Sequence, residues 1–499
     1  MKKHYFILSI LILIMSCSKD EATTETEIIE QEEVNLAPND FNITISNLSH
    51  SSVTINWSEA TDPEGEIISY TIYLDGKLVA ENISGFGHQL MNLTELTNYS
   101  GKVVAKDSNN NETAKTFSFI TEKYYLKFIK VFDLGKVDYA IGLYNTGYPY
   151  SMIKTIDNNY IIAGKSTRPD GNGFQFFILK NDYEGNIIWE KFYDYQLGDA
   201  DNFKITESST GLILVGNHHV LNLDHNGNLI WYKKIDSFEI TDGYAEIKSA
   251  KQNSKGSIFI VGGRDSSDST TVREGVVIKL DNFGNILWEK AYHPSILNFL
   301  NDLFINSSDE LIIIGSSETS GITYEEYIQR QVLVEQIDFW ILKLNSEGQI
   351  IWQNSFGDLK NEIPNQIIST NDNNFVISGR EGSIFKINNS GNIVWGNTSL
   401  PPVSYRFSVA ETIDNGFVTT GQAYFGDYGA QAISKYDSNG NSEWTKIYQK
   451  PFTFLGGFSI LSEKDGGYRF TGASGKRYYY NDEKPEMLIY KTDPDGNYE

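Results

Sequence analysis

Arginine is scarce in this sequence and unevenly placed. There are eight arginines in 499 residues. Seven of them (Arg168, Arg264, Arg273, Arg330, Arg380, Arg406 and Arg477) fall at or within irregular connections between apolar runs. A guanidinium presents a planar fork of donors that fits a carboxylate or a sulfate. The same connections carry Tyr148, Tyr150, Tyr405, Tyr424 and Tyr479, whose flat faces suit sugar rings and protein surfaces equally. The chain has 41 basic and 65 acidic residues, a formal charge of −24. On such a chain, arginine clustered with tyrosine points to an anionic glycan or an acidic protein segment as ligand. The competing reading is that the arginines brace loops. The excess of acid repels phosphate backbones, so nucleic acid is excluded as a partner.

Catalytic chemistry has little to stand on. His218-His219 is the one adjacent histidine pair and reads as a surface pair rather than a metal site. There is no His-Glu-x-x-His, no Gly-x-Ser-x-Gly and no phosphate-binding loop. Glu325-Glu326 is unremarkable in so acidic a chain. The segments from Asp437 to Asn441 and from Asp493 to Asn497 look like calcium loops in isolation. The same turn recurs elsewhere with Tyr, Phe or Glu between its ends, so turn chemistry accounts for it better. No catalytic residue, metal or cofactor is assigned.

The elements that would position the arginines and tyrosines come from a repeat. The phrase Asp/Asn-x-x-Gly-Asn/Gln-x-x-Trp ends at Trp189, Trp231, Trp288, Trp352, Trp395 and Trp444, and a seventh copy stops at Glu499. A second phrase, an apolar run closing on glycine, ends at Gly164, Gly216, Gly262, Gly315, Gly379, Gly421 and Gly472. Together they give two hairpins, or four strands A to D, per repeat. Four antiparallel strands repeated radially predict a β-propeller blade. The last copy lacks its D strand. Residues 126–134 read as a D strand lying before the first A strand, and are expected to pair with the last blade and close a ring of seven.

The A–B and C–D turns are short and uniform. The long connections (135–150, 168–173, 264–274, 316–336, 399–406, 423–429 and 473–485) are all D–A or B–C loops, which open on one face of a propeller. Arg168, Arg264, Arg380 and Arg477 begin the B–C loops of alternate blades.

Residues 38–121 alternate polar and apolar positions in short runs separated by turns such as Asp62-Pro63-Glu64-Gly65. This segment resembles a fibronectin type III domain, with Trp57 in the place of its core tryptophan and Tyr99 in that of its tyrosine corner. Residues 124–499 resemble PQQ-like repeats in their tryptophan-docking motif, which implies that each indole packs between neighbouring blades. The quinone site of that family typically needs a vicinal disulfide, and Cys17 is the only cysteine. The start of the chain resembles a bacterial lipoprotein signal: Lys2, Lys3, an apolar run, then Ile14-Met15-Ser16-Cys17. The resemblance implies cleavage after residue 16 and lipidation of Cys17. Residues 17–37 form an acidic tether that will not fold alone. Ser18-Lys19-Asp20-Glu21 is similar to the export signal of Bacteroidetes surface lipoproteins, which implies a lipid-anchored protein exposed on the outer membrane.

The expected protein is thus all-β: signal peptide 1–16, tether 17–37, sandwich 38–121 and seven-bladed propeller 124–499. It is expected to be a monomeric, noncatalytic surface lipoprotein whose loop face binds a polysaccharide or a protein. One alternative is a polysaccharide lyase or glycoside hydrolase with two carboxylates in the funnel. Another is a scaffold for outer-membrane assembly.

Overall fold

A computed structural model describes residues 35–132, 148–168, 173–197, 203–238, 244–266, 273–318, 337–357, 362–380, 382–397, 403–425, 428–448, 456–474 and 486–498. Cys17, residues 17–34 of the tether, Arg330, Arg477 and Tyr479 lie outside these residues. The chain divides into two compact units between Tyr124 and Tyr125.

The first unit is a sandwich of two antiparallel sheets. One holds Ile43–Ser46, Val53–Trp57 and Gly87–Leu90; the other holds Lys77–Ile83, Ser69–Leu74, Asn98–Lys106 and Glu112–Ile120. Period-two alternation in Val53–Trp57 turns Val53, Ile55 and Trp57 inward. They pack with Tyr70, Ile72, Val103 and Phe117. The Tyr99 hydroxyl accepts from the Thr94 N–H at 2.8 Å, which pins the crossing into Asn98–Lys106. Asp62 accepts from the N–H groups of Glu64 and Glu66 at 2.9 and 3.0 Å, so its carboxylate makes a turn.

The second unit has seven four-stranded antiparallel sheets, six of them with their strands A to D in chain order. The A strands are Tyr148–Lys154, Phe203–Ser208, Ala245–Gln252, Asn298–Ile305, Pro364–Ser369, Val403–Glu411 and Gly456–Ser462. Each A strand contacts the A strand of the next sheet, and the seventh contacts the first, so the sheets are blades of a closed ring. Closure occurs as expected. Phe128–Phe132 pairs antiparallel with Glu486–Lys491, Phe132 lying opposite Met487 and Phe128 opposite Lys491. It supplies the D strand that the truncated last copy lacks.

The repeated phrase is explained atom by atom at its turn. In blade 6, Asp437 Oδ1 accepts from the N–H groups of Asn439 and Asn441 at 2.9 and 2.8 Å, and Asn441 Nδ2 donates back to Asp437 Oδ2 at 2.8 Å. Asp224 and Asn228 repeat this in blade 2, as do Asp493 and Asn497 in blade 7. The glycine between them has positive φ, 81° at Gly440. It also receives the tryptophan of the preceding blade: a Cβ on Gly391 would stand 2.5 Å from the Trp352 ring. The same overlap joins Trp189 to Gly227, Trp288 to Gly348 and Trp444 to Gly496. At the seam Phe128 takes the part of tryptophan, over Gly185. The cores lie between the blades; Ile161, Phe176, Ile178, Leu214 and Leu221, for example, join blades 1 and 2.

Polar ties at the A–B turns supplement this packing. Lys180–Asp157, Lys386–Asp372, Lys435–Asp414 and Lys491–Asp465 pair at 2.6 to 2.9 Å. Burial raises the Asp414 pKa, but hydrogen bonds from Thr412, Lys435 and the Gly416 N–H outweigh it and bring the carboxyl down to about 2. The seam between blades 7 and 1 is exceptional. Arg469 occupies the B-strand register position held by Ile161, Ile213, Phe259, Ile312, Val376 and Val418 in the other blades. It is fully buried, donates to Glu463 at 3.1 Å and to the Tyr183 carbonyl at 2.6 Å, and lies 3.8 Å from the Tyr160 ring centre.

Candidate binding cavity on the propeller axis

Each A strand starts at the loop face and ends at its short A–B turn, so its residues descend along the ring axis. In six of the seven A strands the pairing with strand B skips a residue at the same register, namely Tyr150, Lys248, Asn301, Asn365, Phe407 and Phe458; blade 6 skips Ser404 as well. These are β-bulges, which bend a strand and re-aim a side chain. They also bear on the glycine-ending phrase, although Gly216 of blade 2, which has no bulge, is instead held by the Phe203 and Phe176 rings. The bulge drives an A-strand carbonyl against strand B, so that a Cβ on Gly315 would meet the Phe299 oxygen at 1.9 Å, and one on Gly262 the Glu246 oxygen at 2.3 Å. Only a residue without a Cβ fits there.

The residue after the bulge, and Lys204 in the unbulged blade 2, occupy one register position: Ser151, Lys204, Ser249, Asp302, Gln366, Ser408 and Ser459. This polar ring sews the blades together. Ser459 Oγ accepts from the Met152 N–H at 3.1 Å, Ser151 Oγ from Ile205 at 3.3 Å, Gln366 Oε1 from Val409 at 2.9 Å and Ser408 Oγ from Ile460 at 3.2 Å. Asp302 is the hub. It accepts from Ser249 Oγ at 2.7 Å, the Ile367 N–H at 3.2 Å and Lys204 Nζ at 3.4 Å.

Around the axis lies a cavity of ≈ 1000 Å³, lined by all seven ring residues and by Tyr150, Lys248, Asn301, Asn365 and Phe458 of the bulges. Its wall has two characters. Blades 7, 1 and 2 contribute Phe458, Tyr150 and Phe203, with ring centres 5.4 and 5.2 Å apart. Blades 3, 4 and 5 contribute Lys248, Asn301 and Asn365, beside Tyr244 and Phe299. Among the described residues, Ser316 Oγ and Asn301 Oδ1 are buried there without a hydrogen-bond partner. The lining carries Lys154, Lys204, Lys248, Lys251 and Arg380 against Glu207 and Asp302, a positive interior in an acidic chain. Both carboxylates are engaged, Asp302 as described and Glu207 by the Ile156 N–H at 2.8 Å and His225 at 3.2 Å.

Of Tyr150, Arg168, Arg264 and Arg380, singled out in the sequence and with their side chains described, two line the cavity and two do not. Tyr150 and Arg380 line the cavity. Arg168 forms a fork with Asp194, at 2.9 and 3.3 Å. Arg264 pairs with Glu289 at 2.5 Å and donates to the Ser237 carbonyl at 3.2 Å. Bracing is therefore what these two do, mainly through carboxylates. Tyr148, Tyr405, Arg406 and Tyr424, expected in loops, belong to strands. The physical reason is that strands A and B of blades 1 and 6 extend further towards the loop face than their apolar runs suggest. His219 is also not a surface residue: it is buried, with Nδ1 2.9 Å from the Tyr232 hydroxyl, beside a Tyr195–Tyr232 stack at 3.8 Å. Sequence reading missed Lys204, Lys248, Lys251, Asn301, Asp302 and Asn365. Their signal was a polar residue at the midpoint of each A strand, visible only when all seven are set in register.

The sequence profile of the fibronectin type III domain matches residues 36–120. No curated protein matches the chain. Among solved structures, BamB from Moraxella catarrhalis is 10% identical, with 78% of this chain and 91% of that chain covered and a TM-score of 0.34. Sqt1 of Chaetomium thermophilum is 11% identical, with 70% and 96% covered and a TM-score of 0.40. A family 28 exopolygalacturonase of Yersinia enterocolitica is 18% identical over 18% of this chain and 21% of that chain, with a TM-score of 0.16.

Proposed function

We propose that this is a noncatalytic binding protein that holds a saccharide chain at the loop-face mouth of its axial cavity. The observation that carries the reading is the bulged ring, with Phe458, Tyr150 and Phe203 on one arc and Lys248, Asn301 and Asn365 on the other. A concave site lined by aromatic rings with a few convergent polar groups is the usual form of a small-ligand pocket. A buried polar atom without a partner costs about 1–3 kcal/mol, so a ligand hydroxyl meeting Ser316 Oγ or Asn301 Oδ1 gains that in the complex. The rim arginines are secondary in this reading, because Arg168 and Arg264 already hold carboxylates. The sequence features of residues 1–37 support a lipid on Cys17 and a tether that hold the two units at the outer-membrane surface.

The test is a glycan array probed with the full chain. A saccharide should bind, and Tyr150→Ala with Phe458→Ala should weaken it more than tenfold. Arg168→Ala with Arg264→Ala should change it less than threefold. The opposite ranking would move the site to the loop rim. A silent array together with a protein recovered from membranes would replace the saccharide by a protein partner.

A further inference from the structure

One cation of the cavity stands apart. Lys154 is paired with Glu463 at 2.9 Å, Lys248 with Glu246 at 2.5 Å and Lys204 with Asp302 at 3.4 Å. Among the described residues, the half-buried Lys251 makes no hydrogen bond or ion pair. It stands two residues below Ser249 on the same A strand, so it lines the cavity on the A–B-turn side of the polar ring. Asp302 and Lys204 are its charged neighbours. Of the two ammonium groups, only Lys204 is paired with that carboxylate, at 3.4 Å. That carboxylate is already turned to Ser249 Oγ at 2.7 Å and the Ile367 N–H at 3.2 Å.

We propose that Lys251 and Lys204 form an anion subsite at the floor of the cavity, which takes a carboxylate or sulfate group carried by the ligand. An ammonium without a counter-charge in a confined space is unfavourable, and burial, reinforced by Lys204, holds the Lys251 pKa below its ordinary value despite Asp302. An anion there supplies the missing charge, and each charge-assisted hydrogen bond it accepts is stronger than a neutral one. Asp302 holds Lys204 Nζ at 3.4 Å, which keeps that ammonium at the cavity wall. Apart from Lys154, Lys204, Lys248, Lys251 and Arg380, the lining offers no other cation among the described residues.

The subsite does not depend on the saccharide reading, and the experiment separates the two. The full chain is titrated calorimetrically with sodium sulfate, glucuronate and glucose. Sulfate and glucuronate should bind and glucose should bind at least tenfold more weakly. Lys251→Gln should weaken the anions at least tenfold, whereas Lys251→Arg should keep them within threefold. Lys204→Gln, with an unchanged melting temperature, provides a second variant should Lys251→Gln unfold. Sulfate bound without glucuronate keeps the subsite and removes the uronate form of the saccharide reading. Absence of binding by both anions, equal affinity for glucose and glucuronate, or unchanged affinity in both glutamine variants would overturn the proposal.

Discussion

The outer ends of the blades and their inner edges obey opposite rules. At the outer end the same turn, the same glycine and the same indole recur from blade to blade, and even the seam reproduces them with Phe128 over Gly185. At the inner edge one register position holds Ser151, Lys204, Ser249, Asp302, Gln366, Ser408 and Ser459. The backbone repeats there while the chemistry does not. A contact every blade must make to its neighbour is under the same physical demand seven times. A cavity on the axis is shared by all the blades, so each can contribute something different.

Three measurements would break or sharpen this contrast. The largest effect is expected where the scaffold itself departs from repetition. Glu463→Gln leaves the fully buried Arg469 guanidinium without its carboxylate, and breaking a buried pair costs about 3–5 kcal/mol. Urea denaturation should show that loss, and a change below 1 kcal/mol would mean that the seam is held by packing alone. Next are the docking indoles. Trp352→Ala and Trp231→Ala should each cost on the order of 3 kcal/mol, alike within error, and leave ligand affinity unchanged. A large difference between them would show that the outer ring is not uniform.

The smallest effect is the acid response of the A–B turns. Asp157, Asp372 and Asp414 have pKa values depressed in the fold, with Asp414 at about 2 against an ordinary 3.8. A depressed carboxylate contributes stability above its unfolded pKa and loses it as pH falls through the folded one. The melting temperature should therefore decline between pH 3.8 and about 2, and the decline should be shallower in Asp414→Asn. These aspartates are half exposed, so the difference is modest.

Much of the scaffold was legible because it is periodic. The C–D phrase gave the strand pairs, and the truncated seventh copy gave closure by residues 126–134, seen as Phe128–Phe132 opposite Glu486–Lys491. The site was not legible in the same way. Attention went to Arg168 and Arg264, since arginine in a loop of an acidic chain suggests an exposed anion site, yet both hold carboxylates of their own chain. The glycine of each B strand is visible as a repeat, but not that in six blades it lies opposite a bulge. A bulge is a mismatch between two strands, and neither strand shows it alone.

By itself the sequence determined what depends on residues close along the chain: turns, strands, the number of blades and the sandwich core around Trp57. Tertiary structure alone decided which side chains meet. Lys204, Ser249 and the Ile367 N–H come from three blades and converge on the Asp302 carboxylate of a fourth, because ring closure turns the inner strands of all the blades towards a common axis. That convergence is a property of the closed ring, and no local pattern carries it.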